Sequence, residues 1–195
     1  MLRAFIAEHY DDEILETYDA LRPYSYKANL GRYCLLNVIG GWYFDIAVQP
    51  LRGLALSEQV EFLAFRDRQI HTGTTWACAA GLLYSRPQNR VLQTAIRFVV
   101  RNRKENYYGV TPLCVSGPGL LGEALAANRA NARHVLGDHM DLTPTHKEKN
   151  TAFVLPDGSI FAWGKRAAGG DLTALGLRGG NNYNELWKAR QVYSS

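Results

Sequence analysis

Apolar positions along this chain recur at two periods, and the switches between them mark its elements. Leu2, Phe5, Ile6, Ile14, Leu15, Tyr18 and Leu21 fall at helical spacing with an acidic outer face, which predicts a helix over residues 2–22 ending at Pro23. A second helical pattern covers residues 25–38. Tyr26, Leu30, Tyr33, Cys34 and Asn37 share one side, Leu35, Leu36 and Val38 fill in, and Gly40-Gly41 stop it. Residues 42–46 are short and aromatic-rich, a strand carrying Asp45 near its end. Two further strands are expected at 61–65 and 77–84. Over residues 88–103, Val91, Leu92, Ala95, Ile96, Val99 and Val100 alternate with arginines as in an amphipathic helix. SGPG at 116–119 leads into a helical run over 120–133. Residues 153–154 and 160–162, joined by Leu155-Pro156-Asp157-Gly158-Ser159, read as a hairpin, and a Gly/Asn loop precedes a short C-terminal helix. Helices and strands are interspersed rather than segregated, which implies an α/β domain spanning residues 1–195.

Composition narrows this little. With 47% hydrophobic and 21% charged residues in 195, the chain can bury a core without a staple. Its three cysteines, Cys34, Cys78 and Cys114, are widely spaced with no CxxC pair, so buried free thiols are expected in place of disulfides or a zinc site. The charge of +4 suits a phosphate-bearing partner without choosing one. No apolar run approaches the roughly 18 residues of a membrane span, and the N-terminus lacks a signal-peptide pattern. The expectation is a cytoplasmic protein, with the inner membrane surface and peripheral association as its working place.

The candidate chemistry lies in KANLGRYCLLNVIGGWYFDIAVQP, residues 27–50. A buried strand that delivers a carboxylate at its carboxyl end, as residues 42–46 are expected to deliver Asp45, is a common way to build a ligand site in an open α/β sheet. One helix earlier, Asn29 and Arg32 stand three residues apart on one face, so an amide and a guanidinium can reach one ligand. Taken alone, the same residues also read as a glycine helix stop, an aromatic core strand and an aspartate capping a turn.

This segment resembles the sugar-binding DXD region of the glycosyltransferases that include Golgi mannosyltransferases, bacterial capsule and lipopolysaccharide transferases and large glucosylating toxins. Arg32, Tyr33, Gly40, Gly41, Tyr43 and Asp45 match that pattern. VTPLCVSGPGLLGEAL resembles the downstream GPG segment, and NNYNELW the C-terminal loop bearing an Asn and a Trp. The resemblance implies a GT-A fold, a Rossmann-like mixed sheet flanked by helices. It implies a UDP- or GDP-linked hexose donor, a saccharide or glycolipid acceptor, Mn²⁺ or Mg²⁺, and retention of anomeric configuration. Asp45 and Arg32 would be catalytic. Asn29 and Tyr43 would bind substrate, and Asn182 and Trp187 would close over the diphosphate. Three departures accompany it. Asn29 stands where relatives have an aspartate. Ala47 replaces the second Asp of the motif, so a metal would need Asp45 with a remote donor, His139, Asp138 or Asp141 in GDHMD, a segment that otherwise reads as a solvated loop. The chain also starts late, reading as truncated and lacking the N-terminal strand that stacks the nucleotide base.

Two rival readings come from the same residues. Asn29, Ala47 and the late start fit a non-catalytic carbohydrate-binding relative. Arg97, Arg101, Arg103 and Lys104, followed by Tyr107 and Tyr108, would suit a nucleic-acid-binding stripe, although a solvated helix face is expected and no nucleic-acid partner. No HExxH or GxSxG occurs, so hydrolase chemistry has no support.

Overall fold

The computed structural model describes the whole chain except residues 52, 54, 129–132, 143–150, 165–181 and 195. The helix expected over 2–22 is two helices, α1 (Leu2–His9) and α2 (Asp12–Ala20). The break lies at Asp11, whose carboxylate accepts from the Ile14 amide at 3.0 Å and starts α2 anew. α3 (Tyr24–Ile39) ends at Gly40 with φ +71°, where an added Cβ would also meet the Pro87 ring at 2.6 Å.

Among the described residues the strands are β1 (Gly41–Phe44), β2 (Val48–Pro50), β3 (Phe62–Arg66), β4 (Leu82–Ser85), β5 (His134–Asp141), β6 (Thr151–Val154) and β7 (Ile160–Gly164). The remaining helices are α4 (Gln69–Thr72), α5 (Arg90–Lys104), α6 (Pro118–Ala127) and α7 (Tyr183–Lys188). The strands form one mixed sheet in the order β1-β4-β3-β5-β6-β7-β2, so the expected α/β architecture of a sheet flanked by helices is present. The pairing of β3 with β5 is parallel; the other pairings are antiparallel. The strand expected over 77–84 is shorter: Cys78 makes an isolated antiparallel bridge to Arg66, and β4 begins only at Leu82. Of the helix expected over 120–133, residues 129–132 lie outside the described part.

β1 and β2 occupy opposite edges of the sheet, yet only Asp45, Ile46 and Ala47 separate them in sequence. A flat sheet of this width would hold its edges roughly 29 Å apart, whereas the chain from Phe44 to Val48 reaches at most about 14 Å. The sheet therefore rolls until its edges approach, and the Asp45–Ala47 segment spans the seam. The aromatic contacts agree: Trp42 on β1 stacks on Phe161 of β7 with centroids 5.1 Å apart.

Alternation along β3 sorts the two cores. Phe62 and Ala64 face α3, α5 and α6 in the larger cluster, while Leu63 and Phe65 face Phe153 and Phe161 inside the roll. Tyr33 of α3 donates to the Ser116 carbonyl at 2.9 Å, and Asn102 of α5 donates to Val115 at 3.0 Å. These bonds pin the SGPG segment between two helices. The three cysteines are free and buried, as expected; burial pushes the Cys34 and Cys78 thiols up to about 12. No helix among the described residues is long and apolar enough to cross a membrane.

Candidate active site

A cleft of about 510 Å³ opens at the end of the roll, beside the seam. Its walls include α3, the Asp45–Ala47 segment, Asp67 and Arg68 after β3, residues 79–81, the SGPG segment, β5, β6, β7 and α7. Gly117 and Pro118 line it, so SGPG forms a wall of the cleft. The carboxyl ends of the parallel strands β3 and β5 point to it, the ordinary place for a ligand in such sheets.

Asn29, Arg32 and Asp45 all line this cleft. Arg32 reaches it from α3 and is almost sealed, with 9% of its side chain exposed against 47% for Asp45. Its Nη1 donates to the Ala80 carbonyl at 2.5 Å and lies 3.5 Å from Asp45 Oδ1. The guanidinium sits 4.3 Å from the centre of the Tyr43 ring. Tyr43 in turn donates its hydroxyl to Asp45 Oδ1 at 2.7 Å. Burial raises the Tyr43 phenol to about 12, with the bond to Asp45 adding to the rise and Arg32 opposing it, so the hydroxyl stays a donor at neutral pH. The Asp45 amide is held by the Gly81 carbonyl at 2.8 Å. Asn29 donates to Ser116 Oγ at 3.4 Å, tying the helix to the opposite wall.

The strand that carries Asp45 was expected to be buried. β1 is instead a half-exposed sheet edge, because among the described residues no further strand pairs with it beyond β4. This is why the carboxylate meets solvent while the guanidinium behind it does not.

The other predicted residues fall differently. His139 lines the cleft, but it belongs to β5 and not to a solvated loop. Its Nδ1 bonds Asp67 at 3.0 Å, its Nε2 bonds Thr151 Oγ1 at 2.8 Å, and its ring stacks on Phe153 at 4.2 Å. Both nitrogens are therefore engaged. Among the described residues no group of three His, Cys, Asp or Glu could hold a metal ion. Asp45 is the remaining oxygen donor of the motif, since Ala47 supplies none. The described residues thus do not fit the Mn²⁺ or Mg²⁺ site that Asp45 and His139 were expected to share. Asn182 caps α7, accepting from the Glu185 amide at 3.4 Å. Trp187 donates its indole N–H to the Tyr108 carbonyl at 2.7 Å and packs on the main core. Neither lines the cleft; α7 contributes Tyr183 in their place.

Asp67 and Arg68, directly after β3, are cleft residues that the sequence reading passed over. The signal was available: they end a strand just as Asp45 does. Burial by itself would raise the Asp67 carboxyl, but the bonds from His139 and the Arg68 amide, with the charges of both side chains, hold it below the usual carboxylate value. Arg68 Nη1 donates to Asp141 Oδ1 at 2.5 Å.

Residues 2–63 match the family described as glycosyltransferase sugar-binding region containing DXD motif. Over 92 residues the chain is 29% identical to an uncharacterised glycosyltransferase of Acanthamoeba polyphaga mimivirus, an alignment covering 46% of this chain and 35% of the relative. The aligned part is thus about a third of that relative's length. Family match and viral relative support a glycosyltransferase, and the resemblance to the DXD group stands. In this chain the motif itself reads Asp45-Ile46-Ala47. Among solved structures the chain is similar to the PaToxG glycosyltransferase, with a TM-score of 0.46 and 21% identity over 54% of this chain and 36% of that one.

Proposed function

We propose that this chain binds a nucleotide sugar, a UDP- or GDP-linked hexose, in the cleft and transfers the hexose to a saccharide or glycolipid acceptor in surface polysaccharide synthesis. The observation that carries this reading is the convergence of Arg32, Tyr43 and Asp45. A sealed cation and a half-open carboxylate, joined through a phenol, sit where a sugar diphosphate would enter. In the reaction the bond between the anomeric carbon and the diphosphate oxygen breaks, and its electron pair leaves with the diphosphate. The acceptor oxygen forms the new bond at that carbon and gives up its proton to the departing diphosphate oxygen. Arg32 stabilises the departing charge from a position fixed by Ala80, so no reorganisation is needed at that moment. Asp45 accepts hydrogen bonds from donor hydroxyls, and Asn29 orients the sugar from the helix. Retention of configuration accompanies this reading. The working place proposed is the cytoplasmic face of a membrane, with peripheral attachment.

Calorimetric titration with UDP- and GDP-hexoses tests the donor site. Arg32→Ala is expected to reduce transfer by roughly a hundredfold or more, the scale for loss of a preorganised charge-stabilising group, and Ala47→Gly to change it little. Equal effects would contradict the assignment. Ala47 favours one second reading, a non-catalytic sugar-binding relative. Turnover that appears only in Ala47→Asp with Mn²⁺ would select it.

A further inference from the structure

The cleft has lost one means of meeting a diphosphate's charge and carries another. A divalent ion would find a single oxygen ligand in the motif, Asp45, whose Oδ1 already accepts from Tyr43. Both His139 nitrogens are taken. Yet the cleft holds a second guanidinium, Arg68. Asp141 anchors it through Nη1, and 20% of its side chain is exposed. Its Nε–H is buried with no hydrogen-bond partner. An unsatisfied buried donor is unfavourable, and an incoming acceptor removes that cost. A guanidinium has five N–H donors in a planar fork matched to phosphate oxygens, so Asp141 fixes the group without consuming it. The cleft's carboxylates are already matched, Asp45 by Arg32 and Tyr43, Asp67 by His139 and the Arg68 amide.

We propose that Arg68 is a diphosphate-binding residue, and that Arg68 and Arg32 together take the charge of the nucleoside diphosphate without a divalent metal. The inference rests on the donor-site reading above and adds the residue and the metal independence to it.

The test is calorimetric binding of UDP and of GDP to the full chain, in Mn²⁺ and in EDTA. For the nucleotide that binds, dissociation constants in the two media are expected to agree within about threefold. Arg68→Ala is expected to weaken binding in EDTA by about tenfold or more, the scale of a lost charge-assisted bond. Because that variant strips Asp141 of its partner, Arg68→Lys is measured beside it. It keeps the charge and the ion pair but loses the fork, and is expected to weaken binding by about threefold or more. Asp141→Asn, which leaves the guanidinium in place, is expected to bind at least as tightly as the native chain. Thermal melts report whether each variant is folded. Binding that requires Mn²⁺, or that survives both Arg68 substitutions in EDTA, overturns this inference and leaves the donor site standing. Failure of the native chain to bind either nucleotide in both media overturns the donor site itself and the inference with it.

Discussion

Asp45 keeps its position through small neighbours as much as through charged ones. Gly81 lies so close that an added Cβ would stand 2.7 Å from Asp45 Oδ2. Gly81→Ala is therefore expected to displace the carboxylate from Tyr43 and weaken donor binding several-fold. The half-open carboxylate can swing toward solvent, so stability should change by less than about 1 kcal/mol. Titration calorimetry and a denaturant melt on the same sample separate the two effects. Asp67 gives a second expectation at this scale. Its folded carboxyl titrates below its unfolded value, so its contribution to stability is complete above the unfolded value and is lost as pH falls through the folded one. Acid should destabilise the native chain more steeply than Asp67→Asn, measured as urea stability from neutral pH downward. Equal slopes would show that the bonds from His139 and Arg68 do not set the carboxyl's state.

At the scale of elements, the cleft depends on how closely α6 approaches the chain before β4. The Cys78 amide donates to the Pro118 carbonyl at 2.9 Å, an unusual contact between a helix start and an extended segment. Gly122 makes the approach possible: a Cβ there would lie 1.8 Å from the Trp76 carbonyl oxygen, a backbone atom that cannot swing aside. Gly122→Ala should cost about 1–3 kcal/mol by overpacking, despite alanine's better helix propensity. A lowered melting temperature by scanning calorimetry checks this; an unchanged or raised one would mean that α6 can slide outward without penalty. The same close packing holds Gly117 and Pro118 against the cleft.

Across the whole molecule, the basic face suspected of binding nucleic acid is largely neutralised by its neighbours. Arg101 lies 3.5 Å from Glu123, Arg103 lies 3.8 Å from Glu16, and Lys104 pairs with Glu13, so the acidic outer face of α2 serves the basic end of α5. Such exposed pairs add little stability, but they remove the continuous positive field that polyanion binding needs. Fluorescence anisotropy with generic duplex DNA at near-physiological salt should show no binding. A steep fall of affinity with salt concentration would instead signal several phosphate contacts and reverse the conclusion. The rolled sheet also makes the site a property of the whole fold: Asp45 stands at the seam only because seven strands bring the two edges together.

Local order in the chain was enough to predict α3, α5, β1, β3 and the β6–β7 hairpin, because helical and strand periods, glycine stops and turn residues act over a few residues. It was enough as well to bring Asn29, Arg32 and Asp45 into one hypothesis, since one helix, one glycine turn and one strand fix their relative placement. It could not reveal β5. That strand is short on apolar alternation and exists through its parallel pairing with β3, more than sixty residues away in sequence. The occupation of His139 by Asp67 and Thr151 was hidden for the same reason: three residues from three separate segments meet only when β3, β5 and β6 are in register. Sequence spacing set the chemistry within each segment. Tertiary structure alone decided which segments share a cleft, because strand register and sheet curvature are set by burial on both faces at once.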